Sequence, residues 1–204
     1  NHLSFTMHKE MLDAVQEESG VNAQVIAMPH LELALEESEV PYLKSEVERI
    51  NRFPEFKSIW LEPDQVQQID SRITEDSYGG TLVEDVIMLD SYNITLATAQ
   101  AAESRGVEIV LGEATGILYE KDKAVGVKVG DDQIGPWSGT SSLWLDINVP
   151  VVPQKGEIVR VEGLNPPLGL HLHGQSLGDS CSVVQKGDGA TWLAATVQDG
   201  TGFD

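Results

Sequence analysis

The stretch that decides the fold runs from Leu89-Asp90-Ser91-Tyr92 through Ile94, Leu96, Ala97, Ala99, Ala101 and Ala102 to Arg105-Gly106-Val107-Glu108-Ile109-Val110-Leu111. Its apolar and small residues recur at helical spacing from Tyr92 to Arg105, and Gly106 supplies the stop. The compact apolar run Val107–Leu111 that follows predicts a strand, and the many alanines predict a helix packed closely against a sheet. A helix feeding directly into a strand is a small α/β piece.

Outward from that piece the pattern changes. Toward the N-terminus, Leu3 to Ser19 carries Phe5, Met7, Met11, Leu12 and Val15 at helical spacing and stops before Gly20. Two short strands are expected over residues 23–28 and 31–35, separated at Met28-Pro29-His30 because proline cannot donate to a sheet. A helix over 40–52, a short helix opening at Glu62-Pro63-Asp64, and a strand over 78–88 with a bend at Gly79-Gly80 complete this half. Toward the C-terminus, residues 115–119 and 124–129 form a hairpin across Lys121-Asp122-Lys123, and strands are expected over 156–161, 181–184 and 191–197. The composite is α+β, with a largely antiparallel sheet whose strands come from residues 20–90 and 149–204, flanking helices, and the small α/β piece.

Composition narrows the function. With 41% hydrophobic residues in 204, the chain has enough apolar material for a folded core. Its 33 acidic against 13 basic residues give a net charge of -20, a field that repels nucleic-acid phosphates and anionic lipid surfaces. Neither partner is expected. No apolar run is long enough for a membrane span, no secretory leader opens the sequence, and the lone Cys181 suits a reducing compartment, so a cytoplasmic location is expected.

Several motifs, in order, resemble the D-amino-acid oxidase family, which includes the glycine and sarcosine oxidases. They are Met7-His8 in the first helix, Leu31-Glu32-Leu33-Ala34, Gly79-Gly80-Thr81-Leu82 with Leu89-Asp90-Ser91-Tyr92, and Arg105-Gly106-Val107-Glu108-Ile109. Gly116-Ile117, Ala124-Val125-Gly126-Val127, Gly135-Pro136-Trp137-Ser138, Val152-Pro153-Gln154-Lys155-Gly156-Glu157 and the closing Ala195-Thr196-Val197 continue the series. The resemblance implies a substrate-type domain made of residues 1–91 and 149–204 and a remnant of a flavin adenine dinucleotide (FAD) domain over 92–148. It implies FAD in the complete protein and a small-molecule amine or amino acid as substrate, oxidised at a C–N bond by hydride transfer to the flavin.

The same resemblance makes certain omissions visible. No glycine-rich GxGxxG turn occurs, and Asp131-Asp132-Gln133-Ile134 runs straight into Gly135 where relatives have an apolar strand. The segment that supplies an arginine for a substrate carboxylate is not found after Asp204. This chain alone is therefore expected not to hold FAD, and a non-catalytic ligand- or partner-binding remnant stands as the alternative function.

Site residues follow residue by residue from the resemblance. Ala114, Gly135 and Trp137 fall at positions that lie near the cofactor in relatives, although Trp137 also reads as an aromatic packed under a loop. Ser180, Ser182, Val197 and Lys155 fall at substrate-side positions, with the aromatic hydroxyl of relatives gone near Ser182; exposed strand positions explain the serines equally well, and a structural role explains Lys155. No catalytic acid or base is identified. His171-Leu172-His173 places two imidazoles on one face of a strand, within reach of Asp179 or Cys181, but without a third ligand at a defining spacing no metal is assigned.

Overall fold

In a computed structural model, residues 2–134, 154–176 and 179–199 are described. Helix α1 (His2–Ser19) opens the chain, followed by strand β1 (Ile26–Ala34), a 3-10 turn at Glu37–Glu39 and helix α2 (Val40–Ile50). Next come β2 (Ser58–Leu61), α3 (Pro63–Ile69), β3 (Gly80–Met88) and α4 (Ser91–Ser104). The remaining elements are all strands: β4 (Ala114–Glu120), β5 (Lys123–Val129), β6 (Asp132–Ile134), β7 (Gln154–Lys155), β8 (Val159–Val161), β9 (His171–Ser176), β10 (Asp179–Gln185), β11 (Thr191–Ala194) and β12 (Gln198–Asp199).

The main sheet has seven strands in the order β2-β3-β1-β9-β10-β11-β8. Only the β1–β9 contact is parallel; the other neighbours are antiparallel. Strands from residues 20–90 and from residues 149–204 thus share one sheet, as the α+β reading requires. Strands β4, β5 and β6 form a separate three-stranded sheet, and β7 pairs with β12.

Alternation gives the main sheet two unlike faces. Leu31 and Leu33 of β1, Leu82 of β3, Leu172 of β9 and Val183 of β10 point to one side, where Leu61, Val66, Ile73, Leu168 and Leu170 close a continuous apolar core. Leu31 and Val66 are completely buried there. On the other side, α2 covers the β2–β3 edge, with buried Thr81 donating its hydroxyl to the Leu43 carbonyl at 3.2 Å. The β1–β9–β10 part of this second face is polar.

Several sequence expectations need correction. The two strands expected across Met28-Pro29-His30 are a single strand, β1, whose register with β3 shifts between Met28 and His30; a bulge accommodates the proline without ending the ladder. Residues 107–111 pair with no strand among the described residues, and Leu111 is 95% exposed. Apolar composition predisposes a segment to be a strand but cannot provide a neighbour to bond. Just before Gly135 the short polar strand β6 pairs with β5 from Val127↔Ile134 to Val129↔Asp132. Among the described residues the alanine-rich α4 packs on α1 rather than on a sheet: Ala97 and Ala101 are buried against Val15, where small side chains let two helix backbones approach. Arg105 just beyond α4 binds Glu18 of α1, Nε to Oε2 at 2.7 Å. The strand expected over 156–161 begins only at Val159, as β8, with the two-residue β7 lying before it at Gln154–Lys155.

The Gly79-Gly80 pair sets the entry to β3. Gly79 has φ +117, and a Cβ there would lie 2.6 Å from the Leu61 carbonyl oxygen and 2.5 Å from the Trp60 ring. Gly79→Ala should lower the unfolding free energy by about 1–3 kcal/mol from backbone strain, with the clash adding to it. Gly20→Ala, at φ +72 with nothing within 4 Å, is the matched control and should cost about 1 kcal/mol. Urea unfolding of the two variants measures the difference; equal losses would contradict the steric account.

Candidate active site

The polar part of the second face is built by strand parity. His30 and Glu32 on β1, His171 and His173 on β9, and Ser180 and Ser182 on β10 all point the same way. The parallel register sets His30 beside His171 and Glu32 beside His173. The antiparallel register sets Ser182 opposite His173 and Ser180 opposite Gln175, so each imidazole reaches its serine diagonally.

Two polar lines result. In the first, His30 Nδ1 and His171 Nδ1 are 2.9 Å apart, and His171 Nε2 lies 3.2 Å from Ser182 Oγ. In the second, Glu32 Oε1 lies 3.5 Å from His173 Nδ1, and His173 Nε2 lies 2.8 Å from Ser180 Oγ. The His30 ring tilts 60° against that of His171 and stacks over that of His173, with centroids 4.6 Å and 6.1 Å apart.

Burial shapes the electrostatics of the first line. Burial, and then the neighbouring charges of His171 and His173, pushes the His30 pKa down from 6.5 to about 4. Burial, followed by His173 and Lys186, also lowers that of His171. Both imidazoles are therefore neutral at neutral pH, and their Nδ1–Nδ1 contact requires one ring to donate and the other to accept. When His30 donates, His171 carries its proton on Nε2 and donates to Ser182; in the opposite arrangement His171 Nε2 accepts from the Ser182 hydroxyl. Lys186 is held away from the rings, its ammonium 4.8 Å above Trp192 and 3.4 Å from the Leu89 carbonyl oxygen.

The structure brings Ser180 and Ser182 together with His171 and His173, which the sequence had singled out separately. Lys155 and Val197 belong elsewhere: Lys155 pairs with Gln198 in the β7–β12 sheet, and Val197 directly precedes that strand. Ala114 begins β4 of the three-stranded sheet, opposite Val129. Gly135 and Trp137 lie outside the described residues. Sequence reasoning missed His30 and Glu32. Their signal was the alternation His30-Leu31-Glu32-Leu33, hidden because Pro29 was taken as a strand end. Cys181 projects to the face opposite the histidines, next to Gly174, and no cluster of three or more metal-type ligands occurs among the described residues. No helix among them is long and apolar enough to cross a membrane.

The seven-stranded, mostly antiparallel sheet with its flanking helices is the arrangement found in the solved structures that this chain resembles. The family profile for FAD dependent oxidoreductases of the DAO type matches residues 2–204, and the chain belongs to that family. It is 23% identical over 211 residues to glycine oxidase of Bacillus subtilis strain 168, covering 96% of this chain and 54% of that protein. The structure of glycine oxidase from Geobacillus kaustophilus superposes with a TM-score of 0.82 at 19% identity, over 99% of this chain and 56% of the other. Iminodiacetate oxidase from Chelativorans sp. BNC1 gives a TM-score of 0.76 at 17% identity, over 97% and 56%. The chain thus spans about half the length of these relatives.

Whether the described residues fit a flavin can be asked at each end of the cofactor. Its pyrophosphate needs free amides at a helix start or glycine-rich turn. Here α4 begins at Asp90, whose carboxylate accepts from the Asn93 amide at 2.8 Å, and α2 and α3 begin at Glu39 and Glu62. Those helix starts carry negative charge that repels phosphate. Among the described residues, these helix starts do not fit the pyrophosphate of a flavin dinucleotide.

The neutral histidines have a consequence for stability. Unfolded His30 takes up a proton near pH 6.5, whereas folded His30 does so only near 4, so the unfolded state binds more protons in between. Stability should therefore fall on acidification from pH 6.5 toward 4, with His171 acting in the same direction. His30→Asn should lose less stability than the parent between pH 7 and pH 5 in urea unfolding, and an identical loss in both would show that His30 is not held neutral.

Proposed function

We propose that this chain forms the substrate-binding part of a flavin-dependent oxidoreductase that removes hydride from the carbon beside the nitrogen of an amine or amino acid. Residues 1–91 and 149–204 are the substrate-type unit and 92–148 belong to the flavin-binding unit. The observation that carries this reading is the polar strip of imidazoles and serine hydroxyls on an otherwise apolar-backed sheet. Family membership supports it, as do relatives whose names specify glycine, iminodiacetate and L-proline as substrates.

When bound, the flavin supplies the two-electron acceptor. The chain's own part is to orient the amine and to manage its proton. Ser180, at the exposed end of its line, and Ser182, fixed by His171, offer hydroxyls that can accept from a substrate N–H or donate to a substrate oxygen. Because His30 and His171 remain uncharged, the first line contributes orientation without attracting or repelling a charged group strongly. Val197 and Lys155 are assigned to the rim of the same substrate unit, and Ala114, Gly135 and Trp137 to the cofactor side.

Two measurements test this function. Anaerobic addition of glycine, iminodiacetate or L-proline to the complete, flavin-loaded protein should bleach the flavin absorbance with at least one of them, and Ser182→Ala should raise KM for that substrate about tenfold, the equivalent of one hydrogen bond of about 1.4 kcal/mol. The 204-residue chain alone should not bind FAD stoichiometrically at micromolar concentration when titrated by flavin fluorescence. Flavin-loaded protein that no amine bleaches would instead favour the ligand-binding alternative.

A further inference from the structure

The two polar lines differ in one group: the second ends in a carboxylate and the first does not. Glu32, His173 and Ser180 form a carboxylate–imidazole–hydroxyl series, with Oε1 to Nδ1 at 3.5 Å and Nε2 to Oγ at 2.8 Å. Ser180, at the outer end, is exposed, while His173 and Glu32 are half-buried, with side chains 26% and 35% exposed. The first line, His30–His171–Ser182, places two imidazoles back to back and holds both neutral by burial. Positive charge is disfavoured there. In the second line, positive charge on the imidazole would face a carboxylate.

This asymmetry matters for an amine. Simple amines arrive at neutral pH mostly as ammonium, yet hydride can leave the adjacent carbon only when the nitrogen lone pair is free to stabilise the developing cation. One proton must therefore be removed from nitrogen first. We propose that Glu32, His173 and Ser180 are a proton relay that accepts this proton, an assignment that rests on the amine-oxidising function above.

In the relay, a substrate N–H donates to Ser180 Oγ while the Ser180 O–H donates to His173 Nε2. The proton transfer breaks the substrate N–H bond and the original Ser180 O–H bond, and it forms a new O–H on Ser180 and a new N–H at His173 Nε2. The amine is left neutral, Ser180 is again a hydroxyl, and His173 is an imidazolium whose Nδ1–H points at the Glu32 carboxylate. One positive charge has moved from substrate to His173, and no other reactant is needed. Ser180 is the catalytic residue that touches substrate, His173 is the base acting through it, and Glu32 is a positioning residue that fixes the tautomer and balances the charge.

The charged and titratable groups around His173 are consistent with this division. Strand β1 presents Glu32 and His30, β9 itself presents His171, and β10 presents Ser180 and Ser182. Lys186, just past the end of β10, acts on His171. Among the described groups on this face, Glu32 is the carboxylate in contact with His173.

Two experiments test the relay with different readouts. In the 204-residue chain, imidazole 15N NMR should show neutral His173 protonated at Nδ1 and bare at Nε2, and Glu32→Ala should move that proton to Nε2; wild-type His173 already protonated at Nε2 overturns the relay without reference to activity. In the complete, flavin-loaded protein, anaerobic stopped-flow reduction is compared for a strongly basic amine and for a fluorinated amine that is neutral at the assay pH. His173→Gln should slow reduction about 100-fold with the basic amine and less than about threefold with the fluorinated one, and Glu32→Gln should show the same contrast at about tenfold. Equal slowing with both amines, which a misfolded or merely displaced site would give, overturns the relay, as does no slowing with either. A wild-type flavin that no amine reduces overturns the function itself, and the relay with it, which is a distinct result from wild-type reduction with no contrast between amines.

Discussion

Everything on the polar face depends on the parallel pairing of β1 with β9. It joins residues 141 positions apart, as the His30–His171 contact shows, and it is the one parallel contact in an otherwise antiparallel sheet. Its register is held by the other face, where Leu31 lies beside Leu172 and both join the apolar core. A slip of one residue would turn Leu31 and Leu33 toward the polar side and drive His30 and Glu32 into the core. The hydrophobic effect thus positions the histidines indirectly, by fixing the side that must be buried.

Once register is fixed, small differences in surroundings give chemically similar residues unlike roles. His30 and His171 have each other as neighbours and are disfavoured as cations, whereas His173 has Glu32. The chain carries a net charge of -20, yet that excess does not by itself charge the imidazoles, because exposed carboxylates are screened and only close partners act strongly. The acidic character is expressed more clearly at helix starts. Asp90, Glu39 and Glu62 occupy positions where a dinucleotide-binding protein would leave amides free for phosphate.

The helices and the β4–β5 hairpin were legible in the sequence because their determinants are local. Gly20 and Gly106, with φ of +72 and +91, end α1 and reach just past α4 as the glycine stops implied, and Pro63 starts α3 within a turn of where it was expected. The order of weak motifs was enough for family membership, since each reflects the same chain path. What was not legible depended on partners. Residues 107–111 have strand composition without a pairing neighbour among the described residues, Pro29 fell in a bulge that only the β3 register creates, and Ala97 and Ala101 met a helix where a sheet was expected.

The sequence by itself determined the family, the α+β class, the lack of a glycine-rich phosphate turn, and the presence of serines and histidines near residues 171–182, because these follow from residue type and short-range spacing. Only the tertiary structure decided that His30 and Glu32 join them, that Ser180 has a carboxylate-backed imidazole while Ser182 has a neutral pair, and that Lys155 pairs in a different sheet. The reason is physical: a strand's residue type shows what it can do, but which side chains it meets is set by pairing across the sheet, and that pairing is chosen by the burial of leucines on the opposite face.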